Sequence, residues 1–400
     1  MTSAQKSTIS LGQKLSYARR WVPGYFWQRL RRARVPSRVH VVIALADHFE
    51  PSIVPESGAG RAPYAEQERR LERWSREYPK WFADYRDAEG RPFVHTYFYP
   101  AEQYDQSHLA RLAEHCRAGW GEIEIHLHHG VGTPDSAENT RRQLVEFRDR
   151  LAHEHGGLSY AGGAGPPRYA FVHGNFALAN SNRGRGCGVD SEMQVLSETG
   201  CFADMTLPTA PFHWAQTGKV NAVYECGLPL DQRAPHRQGR NLARGRPVQT
   251  YPILVQGPLM LDFQHPGPGR GWGIDNSALT GSSPASLRRL QIWKRAAISV
   301  EGRPDWVFIK LHCHGMDPRH DDAMLGAPMR QFLRELVDGA DARGETLHFV
   351  SAREMVNLIL AACDGRDGNP GNYRNYLFTR ERPSAAETQR DRANQAVLKG

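Results

Sequence analysis

The feature that most constrains this chain is a repeated alternation of strand-like and helix-like segments. It opens with VHVVIALA at 39–46, a nearly continuous apolar run of the kind found in strands covered on both faces. YAEQERRLERWSREYP predicts a helix with Leu71 and Trp74 on one face. RPFVHTYFYP at 91–100 predicts the next strand, DQSHLARLAEHCRAG a helix ending at Gly119, and GEIEIHLHH a third strand. DSAENTRRQLVEFRDRLAHEH then predicts a helix capped by Asp135 or Ser136, with an apolar stripe through Leu144, Phe147 and Leu151. PRYAFVHGNFAL at 167–178, VDSEMQVLSETG and CFADMTLP continue the pattern. An irregular stretch rich in Gly, Pro and Asn follows at 209–281. Beyond it, SPASLRRLQIWKRAAI, PDWVFIKLHCHG, AMLGAPMRQFLRELVDGA and TLHFVSAREMVNLILAAC supply further helices and strands. Such alternation means a mostly parallel sheet, open or closed into a barrel. No GxGxxG or GxxxxGK(S/T) follows any strand, which argues against dinucleotide and P-loop enzymes.

The 400 residues are enough to bury a large core in one α/β unit with insertions. The expected organisation is an arm at 1–38, a body at 39–363 interrupted at 209–281, and a polar tail at 364–400 that adds little to a core. No apolar run is long enough to cross a bilayer, and MTSAQKSTISLGQK lacks the apolar centre of a secretion signal. Six cysteines without a CxxC pair are too sparse for a disulfide scaffold. These points give a reducing compartment, the cytoplasm, as the expected location.

The formal charge of +8 is concentrated at one end. Residues 1–40 hold nine Lys or Arg and no acid, which leaves a nearly neutral body. Within RRWVPGYFWQRLRRARVPSR, the aromatics Trp21, Tyr25, Phe26 and Trp27 alternate with arginines. Either the aromatics pack on the body while the arginines face water, or the arm touches an anionic membrane surface. Nucleic acid is not an expected partner, because no zinc-finger spacing or stacking-sheet signature accompanies the basic arm.

Polar residues gather where the strands end. Asp47 and His48 end the first, His126 and His128 the third, His173 and Asn175 the next, and His312 and His314 the late strand VFIKLHCH. In parallel sheets and barrels those C-terminal ends face the loops that build the active site. In EIEIHLHHG, residues 122–130, period-two alternation puts His126 and His128 on one face and His129 on the other. Two imidazoles about 7 Å apart at their Cα atoms can share one ion if a third ligand comes from another strand. A rim of surface histidines is the plainer alternative for that stretch alone. Asp47 reads as a ligand or as a loop brace. His48 faces away from Asp47 if the strand persists. His129 reaches the ion by a turn of the chain or holds His126 from behind. His173 reads either as a site residue or as a packed histidine, and Glu50 as a solvated acid before a proline-rich loop or as part of the site.

With these residues in view, the chain resembles the polysaccharide deacetylase (NodB-like) family of the glycoside hydrolase/deacetylase superfamily. IALADH is similar to the apolar strand that ends in the family's first motif, EIEIHLHHG to its histidine motif, and IKLH to its closing histidine motif. LHFVSAREMVNL resembles its last strand and helix. Gly130 stands where the second motif histidine is usual, FVHGNF replaces an Arg-Pro-rich strand end, and GCFADMTLP lacks an Asp-Trp pair. The resemblance implies a distorted (β/α)7 barrel over about 39–360, with 209–281 near its C-terminal mouth. It implies a divalent ion, zinc in the first instance, held by Asp47, His126 and His128. Catalysis would fall to Asp47, His48 and His312, with His312 as general acid, and substrate contacts or ligand support to His129, His173, Asn175 and His314. The implied activity is removal of an acyl group from an N-acylated sugar or glycan. A glycoside hydrolase or another metal-dependent hydrolase is one alternative, and a non-catalytic carbohydrate-binding module is the other.

Overall fold

The computed structural model describes residues 11–55, 60–209, 213–264 and 271–380. Residues 1–10 of the expected arm and 381–400 of the expected tail therefore lie outside the described residues. The elements run α1 (Leu11–Arg31), β1 (Val39–His48), α2 (Tyr64–Phe82), β2 (His95–Pro100), α3 (Gln106–His115), β3 (Gly121–Leu127) and α4 (Ala137–His153). Then come β4 (Ser159–Ala161), β5 (Ala164–His173), α5 (Glu192–Thr199) and β6 (Cys201–Asp204). The insertion contributes short strands: β7 (Val223–Cys226), β8 (Gly239–Asn241), β9 (Ile253–Val255), β10 (Met260–Asp262) and β11 (Gly273–Asp275). The chain closes with α6 (Leu287–Lys294), β12 (Trp306–Cys313), α7 (Asp321–Leu325), α8 (Ala327–Asp338), β13 (Glu345–Phe349), α9 (Ala352–Cys363) and β14 (Phe378–Thr379).

These form a mixed α/β fold around a large, mostly parallel sheet ordered β12–β1–β2–β3–β5–β6–β9–β7–β8. β1 is the axis of the sheet. Along one edge it pairs with β12 from His40 to Asp47, while β13 and β2 divide the other edge at Val39–Ile43 and Leu45–His48. The antiparallel pairs are confined to the insertion and to β4 with β5 and β14.

Side-chain alternation separates two packed layers. Val41, Ile43 and Leu45 meet Leu71, Trp74, Tyr78 and Phe82 of α2, together with apolar residues of α3, α4 and α8. Val42, Ala44 and Ala46 belong to the other layer, with Met355, Val356 and Ile359 of α9 and with Trp21 and Tyr25 of α1. α9 is buried at every one of its positions, its polar residues included: Arg353 pairs with Glu122, and Asn357 donates to the Arg374 and Phe378 carbonyls. It starts from a capping box between Ser351 and Glu354. The expected helix caps form as well: Ser136 accepts from the Asn139 amide, and Gly200 ends α5 in the left-handed conformation.

The tail departs from expectation. Arg374 is buried against Asp87, Glu89 and Glu354, and Phe378 stacks on Phe202 with ring centroids 4.6 Å apart. The segment through Arg380 is part of the packed body. Polar composition concealed this, because an arginine surrounded by carboxylates is buried through its charge rather than its apolar surface.

Candidate metal centre

β1 persists through His48, so Asp47 and His48 face opposite ways, and the two sides differ in what they assemble. Asp47 turns toward α2. Its Oδ1 accepts the Gly315 amide at 2.7 Å and its Oδ2 lies 3.0 Å from His95 Nδ1. The buried Cys313 thiol, held well above its ordinary pKa by burial first and by Asp47 next, completes the group. The expected trio of Asp47, His126 and His128 is therefore corrected, because Asp47 is committed to the opposite layer.

Glu50 takes the place expected for Asp47. Its Oε1 lies 2.9 Å from His126 Nε2 and 3.4 Å from His128 Nε2. The far nitrogen of each ring is fixed. His126 Nδ1 donates to the Val172 carbonyl at 3.1 Å, and His128 Nδ1 donates to Glu102 Oε1 at 2.7 Å. With both Nδ1 atoms donating, the two Nε2 atoms converge on one carboxylate; burial lowers the His128 pKa, but Glu102 and Glu50 outweigh it and raise it. Three acceptors that face one another need a proton or a cation between them. A carboxylate behind a ligating histidine is the usual support of a metal site. Burial pushes the Glu50 carboxyl upward, but the hydrogen bond to His126 and the neighbouring histidines outweigh it and hold it down to about 2.

His48 packs on this group, its ring centroid 4.8 Å from that of His126 and 4.7 Å from that of His314. Burial first, then His314, His126 and His312, keep His48 well below the ordinary imidazole range, so it stands neutral. Its Nδ1 is buried without a hydrogen-bond partner, and so is Nδ1 of His312. His48, Glu50 and His126 could hold a metal ion with their donor atoms all within 4.8 Å of one another. Gly174 makes room for the arrangement, because a Cβ there would lie 2.3 Å from His128 Cδ2. The side chain of His128 is 24% exposed, which gives the cluster a solvent-facing edge. Above it, Phe176 lies 5.8 Å from His48 and His213 lies 5.8 Å from Phe176, centroid to centroid.

A further buried group, His129, His173, Cys187 and Glu192, could also hold an ion by proximity. Its hydrogen bonds argue for a metal-free network. His129 bridges Asp135 at 3.0 Å and Glu192 at 2.8 Å, and these acids raise its pKa against the effect of burial. His173 Nδ1 accepts the Asn175 amide at 3.2 Å, so its proton sits on Nε2, the atom that faces Glu192 at 3.6 Å. An ion here would have to displace that proton. His129 thus neither reaches the Glu50 cluster nor holds His126, whose Nδ1 partner is the Val172 carbonyl. Asn175 donates to the His129 and Gly186 carbonyls and braces the loop there.

Sequence reasoning missed Glu102 and Glu192. Glu102 follows β2 at the same C-terminal edge as the histidines, so the strand-end rule extended to every strand would have found it. Glu192, in the first turn of α5, carries no local signal. All six cysteines are free and buried, and no described helix is long and apolar enough to cross a membrane. No protein-family model matches this chain, and no curated protein sequence matches it either.

Proposed function

We propose that the chain is a metal-dependent hydrolase that removes an acyl group from an N-acylated sugar or glycan. The observation that carries the reading is the convergence of His126 Nε2, His128 Nε2 and Glu50 Oε1 while both Nδ1 atoms are held by acceptors. Two neutral imidazoles and one carboxylate are the ligand set of many hydrolytic zinc sites, and His48 or His314 stands beside them as a fourth donor. Zinc is the ion of first choice, although N/O ligands also suit manganese, cobalt and nickel. When bound, such an ion polarises a carbonyl and acidifies a water molecule beside it.

The protein's own part is positional and protonic. Glu102 and the Val172 carbonyl fix the two ring orientations. His312, neutral because burial and the adjacent Lys310 disfavour its charged form, has a buried Nδ1 free to accept a proton. It would take the proton released as water adds to the carbonyl carbon and pass it to the amide nitrogen as the C–N bond breaks, leaving free acid and amine. Phe176 and His213 roof the cluster and restrict water. A glycosidase would need two carboxylates free to act on the sugar, whereas Glu50 and Glu102 are both engaged by His128.

The same reading takes the sheet as a distorted (β/α)7 barrel. In support, Ala278 bridges β12 at His312, and Lys310 Nζ donates to the Met205 and Leu207 carbonyls beyond β6. The test is a panel of N-acylated glycans, from which wild type releases free acid and amine and His312→Ala does not. Cleavage between sugars with the acyl groups intact would overturn the assignment in favour of a glycosidase, and binding without any product would leave a carbohydrate-binding module.

A further inference from the structure

α1 is seated firmly on the body by one side only. Trp21 and Tyr25 are fully buried, 6.0 Å apart edge to face, and a Cβ at Gly24 would strike the Gly218 carbonyl. At 100° per residue the opposite side carries Pro23, Phe26, Trp27 and Leu30. Phe26 is 49% exposed, Trp27 57% and Leu30 83%. A soluble helix does not ordinarily leave three large apolar residues together in water. Arg19, Arg29, Arg31, Arg34 and Arg38 are exposed around them, with the Arg31 guanidinium 4.1 Å over the Trp27 ring. No acidic residue occurs anywhere in 1–40 to offset them. Beside the C-terminal half of the helix, Arg29, Arg34 and Arg295 line an open cleft with Phe263, itself 63% exposed.

We propose that the outer face of α1 docks on an anionic lipid surface. The charge selects the partner. Aromatic and aliphatic side chains enter the boundary between headgroups and acyl chains, while the flanking arginines meet lipid phosphates and carboxylates. The exposed side chains include the aliphatic Leu30 beside Phe26 and Trp27, which suits an acyl-chain boundary better than the aromatic platforms on which bases stack. The helix lies along the membrane rather than through it.

Its position gives the docking a purpose, on the reading of the metal centre proposed above. Tyr17 and Arg20 of α1 pack on Trp214, at 5.1 Å and 4.1 Å respectively. Trp214 adjoins His213 in the chain, and His213 leads through Phe176 to His48. The lipid-facing helix thus borders the roof of the cluster, and the substrate class becomes a glycan presented at a membrane, its acylated sugar near the headgroups.

The full chain is to be co-sedimented with phosphatidylcholine vesicles, with and without phosphatidylserine. Two variants accompany it: Phe26→Ser/Trp27→Ser/Leu30→Ser and Arg29→Gln/Arg31→Gln/Arg34→Gln. Wild type should pellet with the mixed vesicles only and be released by salt. The arginine variant should bind roughly fivefold more weakly for each charge removed, and the apolar variant should lose binding at least as far. All substituted positions are exposed, so unchanged far-ultraviolet spectra are expected. Equal pelleting of the three proteins, or equal pelleting with neutral vesicles, overturns the proposal. So does binding that inorganic phosphate abolishes while the apolar variant retains it, since that marks a small-anion site; preferential binding of single-stranded RNA overturns it as well. None of these readings depends on catalysis, so failure of the docking and failure of the hydrolase assignment are separable.

Discussion

Asp47 and His48 are consecutive, yet they serve opposite layers of the sheet: Asp47 pins the Gly315 amide beneath α2, and His48 packs on His126 at the other face. One residue of strand parity decides which of them belongs to the candidate metal cluster. The division of labour can be tested one side chain at a time.

Asp47→Asn should remove a charged acceptor from Gly315 and His95 without touching the ligands. A loss of about 1–3 kcal/mol in unfolding free energy is expected, with the metal content unchanged. Urea denaturation and elemental analysis of the same preparation decide it. Loss of the ion from a folded Asp47→Asn protein would return Asp47 to the ligand set.

Glu102→Gln should leave all the ligands in place and weaken only the support of His128. Removal of such a partner typically lowers metal affinity about 10–100-fold, to be read by competition with a chromogenic chelator. His126→Ala should abolish stoichiometric binding altogether. If both variants retain wild-type affinity, the centre does not lie here.

Gly174→Ala adds one methyl group, and its Cβ would sit 2.3 Å from His128 Cδ2. The ring must swing away from Glu50 or the β5 loop must move. The expected result is weakened metal binding with the thermal midpoint little changed, because the ring lies at the solvent-facing edge. A pronounced drop in midpoint with full affinity would show that the backbone yields instead.

Acid stability offers a test away from the cluster. Burial raises the Glu89 pKa, but its hydrogen bonds to His348 and Arg374 prevail and hold it down to about 2, against an ordinary 4.5. A depressed carboxylate pKa adds stability that is fully present above the unfolded value and is lost as pH falls through the folded one. Glu89 therefore stabilises the fold above about 4.5 and progressively less toward about 2. In Glu89→Gln, denaturation midpoints across that window should show a shallower pH dependence than in wild type; superimposable curves would exclude the contribution.

Much of this was legible because period-two alternation and strand-end position are local signals. They pointed to the His126–His128 pair, to the edge shared with His48, His312 and His314, and to the order of helices and strands. The choice of Asp47 over Glu50 went wrong at the length of β1: ending the strand before Asp47 leaves its direction open, and extending it to His48 does not. His129 lies just past the end of β3, its partner Glu192 comes from a helix more than sixty residues later, and no pattern in the sequence links the two. The burial of Arg374 was hidden for the same reason, since its three carboxylate partners lie on distant segments. In α1 the packing reading holds for half of the aromatics: Trp21 and Tyr25 pack inward, whereas Phe26 and Trp27 face out.

The complete enclosure of α9 has a consequence for how the molecule opens. A helix with no residue at the surface offers solvent no partial route to its amides, so fraying and loop motion cannot expose them. Their hydrogen exchange should proceed only when the whole body comes apart. The slowest amides between Ala352 and Cys363 would then report the stability of the entire fold in water, without denaturant, and a ligand bound at the distant histidine cluster would slow them by the same free energy it lends to the native state.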